Sequence, residues 1–142
     1  MSMTFQEKSL WVTLAGLLVV SAGYTWSAWM TLLHMPATRD VMPQHAGLFM
    51  AATVMLVIIL VAGHIVIAVL DRRTEPDERD RLIALRGERY GSLVLATGVF
   101  LALCTALVTE GNAIMAHVLL GCWVLAQVVE IVSQLVLYRR GS

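Results

Sequence analysis

DRRTEPDERDRLIALRGERY, residues 71–90, is the only long hydrophilic segment of the chain, and it parts an otherwise apolar sequence into two halves. It carries six of the ten basic residues and six of the ten acidic ones. The chain as a whole is 58% hydrophobic and 14% charged, where a soluble domain carries about 25% charged residues. The apolar residues outside 71–90 fall into four runs, at about 10–33, 46–70, 91–109 and 113–137. Each is close to the ~20 residues that cross a ~30 Å hydrocarbon layer as a helix. Lipid offers no partner to backbone N–H and C=O groups, so each run is expected to be a complete α-helix. Four such spans leave too few residues for a second domain, and residues 1–142 read as one integral membrane domain. The first run is too long for the apolar core of a removable signal.

Orientation follows the lysines and arginines rather than the net charge, which is zero. Lys8 precedes the first span, and Arg39 alone lies between the first and second. Arg72, Arg73, Arg79, Arg81, Arg86 and Arg89 lie between the second and third; Arg139 and Arg140 follow the fourth. Both termini and the 71–90 loop are therefore expected in the cytoplasm, with 34–45 and 110–112 outside.

Residues 71–90 also read as a helix start. Thr74 can cap, with Glu75, Asp77 and Glu78 in a first turn where the helix dipole favours anions. Pro76 is tolerated that early, and Glu75–Arg79 and Asp77–Arg81 are favourable i,i+4 pairs. No strong breaker follows, so the helix is expected to run on into the third span and extend it into the cytoplasm. At 100° per residue, Asp77, Asp80, Ala84 and Glu88 fall on one face, and Arg79, Leu82, Leu85, Arg86 and Arg89 on the other. Asp77, Glu78, Arg79, Asp80, Arg81, Arg86 and Glu88 form either a solvated helix base whose arginines touch lipid phosphates, or a docking surface for a cytoplasmic protein. Further along, Gly87, Gly91, Gly98, Ala102 and Thr105 share one narrow stripe, a groove for close helix packing within the bundle or across a dimer. Gly16, Gly23 and Ser27 recur similarly on the first span.

Ionisable groups at membrane depth are costly and are functional candidates for that reason. His64 lies in the second span and Glu130 in the fourth, with Gln127 and Gln134 on the face of Glu130. Counting from the ends of the runs puts Thr97 at the depth of Glu130 and Thr13 slightly nearer the surface. The four helices are thus expected to meet in a polar layer with His64 and Glu130 at its centre. Such a layer either fixes helix register, at about 1 kcal/mol or less per member, or acts as a proton- or ligand-sensitive switch.

A second set maps to the outer side: His34, Met35, Met42, His45, Met50, Glu110, Met115 and His117. Imidazole with thioether suits copper(I), and carboxylate with imidazole suits zinc. His45 and His117, on different spans, could also ligate a haem iron. Against this, the spacings match no compact metal motif, and methionines at helical positions mostly fill space. Cys104 and Cys122 lie inside spans, where thiols act as small apolar side chains. There is no glycine-rich phosphate loop, no HExxH and no Ser–His–Asp order. The arginines are interleaved with acids, which argues against direct nucleic-acid binding.

Asp77-Glu78-Arg79-Asp80-Arg81-Leu82-Ile83, followed by Gly87, resembles the DERDR-type motif of a family of small bacterial four-span proteins. Phe5-Gln6-Glu7-Lys8 with Trp11, and Tyr138-Arg139-Arg140-Gly141, are similar as well. The resemblance implies an inner-membrane protein of unassigned activity that accompanies small helix-turn-helix regulators, and so implies a sensor or a regulator's anchor. The outer Met/His set is not part of that pattern.

The expected fold is all-α: a four-helix transmembrane bundle with both termini cytoplasmic, a third helix extended into the cytoplasm, and self-association as a homodimer. Three functions are weighed. The first is a sensor or interaction protein presenting 77–89 to a cytoplasmic partner. The second is a haem- or copper-binding redox protein using His34, Met42, His45 and His117. The third is a small proton-coupled transporter built on Glu130 and His64; it ranks last because drug exporters of this size carry their essential Glu in the first span, where this chain has none.

Overall fold

The computed structural model describes residues 4–34, 42–70, 77–108 and 113–140, with backbone only at 42–44. Four helices account for almost all of them: α1 (Phe5–His34), α2 (Met42–Leu70), α3 (Glu78–Val108) and α4 (Ala113–Arg140). The shortest has 28 residues, which at ~1.5 Å per residue is roughly 40 Å. All four are long and apolar enough to cross a membrane. The all-α, four-helix class expected from the apolar runs is the class found, with no strand among the described residues. The surface agrees with a multi-pass membrane protein. Val54, Val57, Ile58, Val61, Ile65 and Val66 of α2 are all exposed, an apolar surface that water would penalise and lipid does not.

Three helices begin before their apolar runs, and capping explains the extension of two, α1 and α3. Thr4-Phe5-Gln6-Glu7 closes a reciprocal capping box. The Glu7 N–H donates to Thr4 Oγ1 at 3.2 Å, and the Thr4 N–H donates to Glu7 Oε2 at 2.9 Å. At α3 half of that device recurs with two aspartates. The Asp77 N–H donates to Asp80 Oδ2 at 3.2 Å, the Glu78 N–H to Asp77 Oδ1 at 2.7 Å, and the Arg81 N–H to the Asp77 carbonyl at 3.1 Å. The residue capping the described helix is Asp77. The expected cap Thr74, with Arg72, Arg73, Glu75 and Pro76, lies outside the described residues, as do most of the two outer loops. From Glu78 the helix runs unbroken to Val108, so most of the hydrophilic segment belongs to the same helix as the third span.

The chain divides into two compact units, Trp11–Arg73 and Met1–Leu10 with Thr74–Ser142. In the first, α1 packs antiparallel on α2 through glycines. A Cβ at Gly16 would stand 3.2 Å from Ile59 Cγ2 and 3.3 Å from Leu60 Cδ2; one at Gly63 would stand 2.5 Å from Val12 Cγ1. Tyr24 and Phe49 meet edge to face, with ring centres 6.4 Å apart. Of the small stripe on α1, Gly16 is buried and Gly23 faces open space.

In the second unit α3 and α4 are antiparallel, and the stripe foreseen on α3 is their contact. Ile83, Gly87, Gly91, Gly98 and Ala102 are buried. Gln134 lies over Gly87, Glu130 and the Ala126 carbonyl over Gly91, and Cys122 over Gly98. The sequence left open whether this groove served the bundle or a dimer. It is filled from within the chain, so self-association draws no support from it.

Candidate functional site

Asp80, Tyr138, Gln134 and Glu130 lie at the α3–α4 seam. Asp80 joins the two helices at the cytoplasmic end assigned by the charge pattern. Its Oδ2 accepts the cap N–H of Asp77, and its Oδ1 accepts the Tyr138 hydroxyl at 2.8 Å. One carboxylate thus starts α3 and ties that start to the last turn of α4.

One to two turns further on, α4 lays Gln134 and Glu130 into the glycine groove. The Gln134 Nε2 would lie 2.8 Å from a Cβ at Gly87, and Glu130 Oε2 would lie 3.1 Å from one at Gly91. A side chain at Gly91 would meet fixed atoms of α4, and one at Gly87 would have to displace the Gln134 side chain. Gln134 is buried; its amide reaches Glu130 Oε1 at 3.5 Å, a long and weak bond. Glu88 is near enough to act electrostatically on Glu130. Ser133 donates to the Glu130 carbonyl at 2.8 Å, and Gln127 is half-buried one turn away. The group is a carboxylate–carboxamide pair held against bare backbone. It contains no nucleophile–base pair, and it suits helix registration.

These contacts also correct an expected depth. Glu130 was placed level with Thr97; it lies level with Gly91. The Thr97 side chain is exposed and donates to the Leu93 carbonyl at 3.0 Å within its own helix. The error came from counting inward from the ends of the apolar runs, which are not level. The run on α4 continues to Leu137, past the charged turns of α3.

His64 belongs to the other unit, as does Thr13, and the expected His64–Glu130 pairing is a matter between units. Within its unit, Val12 against Gly63 brings their neighbours Thr13 and His64 to nearly one level. His64 Nδ1 lies 2.7 Å from the Leu60 carbonyl. His34 and His117 show the same pattern, 2.8 Å from the Met30 carbonyl and 2.7 Å from the Ala113 carbonyl. A carbonyl can only accept, so Nδ1 is the donor in each of these contacts.

His34 is exposed and His45 buried. The Met42 side chain, Met35 and Glu110 lie outside the described residues. Among the described residues no three His, Cys, Asp or Glu side chains gather as a metal-sized group. Cys104 and Cys122 are free thiols, and Cys122 is the packing partner of Gly98.

The charged set keeps its two sides. Asp77, Glu78, Arg79, Arg81, Arg86 and Glu88 are exposed, and Asp80 is half-buried through its bond to Tyr138. Sequence reasoning missed that bond, since 58 residues separate the partners and no local pattern announces it. It also missed both of these caps, although Thr4-x-x-Glu7 and Asp77-x-x-Asp80 carry the three-residue spacing that signals them. Comparison of the chain with protein-family models, curated proteins and solved structures returned no match.

Proposed function

We propose that the protein is an inner-membrane sensor or anchor that presents the first turns of α3 to a cytoplasmic protein. The observation that supports this reading is the two-sidedness of those turns. Asp80, Ile83 and Gly87 hold the segment to α4, while Asp77, Glu78, Arg79, Arg81 and Glu88 stand exposed. A charged surface on a braced helix loses little conformational entropy on binding, and charge complementarity selects the partner. The cytoplasmic placement rests on the arginine distribution. The resemblance to DERDR-type proteins makes a small helix-turn-helix regulator the partner to look for first.

Asp77→Lys with Glu88→Lys tests the reading. Asp80 is left intact, because reversing it would also break the brace. Affinity purification from the native host in mild detergent is expected to retain one soluble protein in fixed ratio. The double reversal is expected to lower its recovery about tenfold or more, with the membrane protein itself recovered unchanged. A wild-type preparation that retains nothing soluble, or a variant that retains the same protein equally well, refutes it.

A further inference from the structure

The α3–α4 register says where the second half of the charged segment lies. Gly87 beside Gln134 and Gly91 beside Glu130 put residues 83–91 of α3 level with 130–138 of α4. On α4 those turns read EIVSQLVLY, and their Val132 and Val136 are exposed. Exposed valines belong in lipid. Arg86 and Arg89 of α3 stand at the same height. That height is therefore the boundary between hydrocarbon and water, and the turn of α3 before Ile83 lies on the water side of it.

The side chains that α3 shows at this boundary form a stripe facing away from α4: Leu82, Leu85, Arg86, Arg89 and Leu93. The three leucines are 56%, 61% and 60% exposed, and both arginines are exposed. Tyr90, beside the stripe, is half exposed. Of the acids of this region, Asp77, Asp80 and Glu88 fall on the other side of the helix, and Glu78 shares the face of the stripe a turn before Leu82, on its water side. Leucines facing outward at the membrane edge cover acyl chain. Arg86 and Arg89 lie about a turn deeper than Leu82 and Leu85, and helical side chains lean toward the N-terminus, which carries their guanidinium groups back toward the headgroup phosphates. A guanidinium binds a phosphodiester with paired, charge-assisted hydrogen bonds.

We propose that Arg86 and Arg89 form a headgroup site for an anionic phospholipid, with Leu93 on the membrane side of them against its acyl chains. The two arginines so assigned are not among the residues proposed to meet the cytoplasmic protein, Asp77, Glu78, Arg79, Arg81 and Glu88. Either can fail alone.

The test is native mass spectrometry of the whole chain released from nanodiscs of mixed phosphatidylglycerol and phosphatidylcholine. Wild type is expected to retain phosphatidylglycerol in preference to phosphatidylcholine. Arg86→Gln with Arg89→Gln is expected to reduce that preference about fivefold for each arginine lost. Arg86→Lys with Arg89→Lys keeps the charge and is expected to keep most of the preference, which also shows that the site tolerates substitution. Arg81→Gln, on the water side of Tyr138, is expected to leave it unchanged. Wild type without a preference, a glutamine pair that retains it, or an Arg81→Gln loss equal to that of the pair overturns the proposal. Loss of the preference in millimolar inorganic phosphate at constant ionic strength also overturns it, because the site would then take free phosphate rather than lipid.

Discussion

Gly98→Ala is expected to destabilise the α3–α4 pair more than the same change at either of the other two groove glycines. At Gly98 the new methyl would meet the Cβ of Cys122 in hard overlap, Sγ at 2.9 Å and the Cα at 3.5 Å. The thiol can rotate away, but the Cβ and Cα stay where the backbone puts them, so no rotamer removes the overlap and the helices must part. At Gly91 the obstacles are Glu130 Cβ at 3.0 Å and the Ala126 carbonyl at 3.1 Å, again fixed but further off. At Gly87 they all belong to the Gln134 side chain, which can swing aside. Overfilling a close-packed site costs about 1–3 kcal/mol, and the order expected is Gly98 above Gly91 above Gly87. Thermal unfolding in mild detergent reads the order. Cys122→Gly is the check, since removing the opposing side chain should restore much of what Gly98→Ala loses. Equal losses at all three positions, or no rescue, would mean that α3 and α4 do not meet on this face.

The second large effect is at Asp80. Asp80→Ala removes the acceptor of the Asp77 cap N–H and leaves the half-buried Tyr138 hydroxyl without its partner. Losing an N-cap interaction costs about 1 kcal/mol. A hydrogen bond to a charged group is worth about 1.5–3 kcal/mol. The two losses share one carboxylate, so the sum is about 2–4 kcal/mol. Tyr138→Phe removes only the second and is expected to cost less. Asp80→Asn keeps an oxygen for the cap and should fall between. Hydrogen exchange at the first turns of α3 separates the contributions: Asp80→Ala is expected to free both Asp77–Arg81 and the last turn of α4, and Tyr138→Phe chiefly the latter. If Asp80→Ala unfolds no earlier than wild type, the brace has no weight in the fold.

The four helices were legible because the solvent is lipid. An apolar run of span length leaves the backbone a single solution, and residues 10–33, 46–70, 91–108 and 113–137 each lie within a helix of the structure, Thr109 being outside the described residues. The glycine stripe was legible for a related reason. Residues spaced by three, four and seven share a face, and Gly87, Gly91, Gly98 and Ala102 are indeed the buried face. Periodicity names a face without naming what lies on it, so the choice between α4 and a second copy needed the structure. Relative depth was the part that misled. Thr97 was matched to Glu130 on the assumption that all four runs end at one plane, and the apolar stretch 131–137 beside the charged turns of α3 breaks it. The same offset is what puts Arg86 and Arg89 at the membrane edge. Long-range bonds such as Tyr138 to Asp80 leave no trace in a single sequence, because each partner looks locally sufficient: a tyrosine at an interface, an aspartate in a first turn.

The account stands most directly on which solvent bathes the start of α3. Both native cysteines lie within spans, so Arg79→Cys in a Cys104→Ala, Cys122→Ala background offers one thiol at that start. A membrane-impermeant maleimide is expected to leave it unlabelled in intact cells and to label it fully once the inner membrane is permeabilised. Labelling in intact cells would put Asp77–Arg89 on the outer face and contradict both the cytoplasmic partner and the assigned orientation.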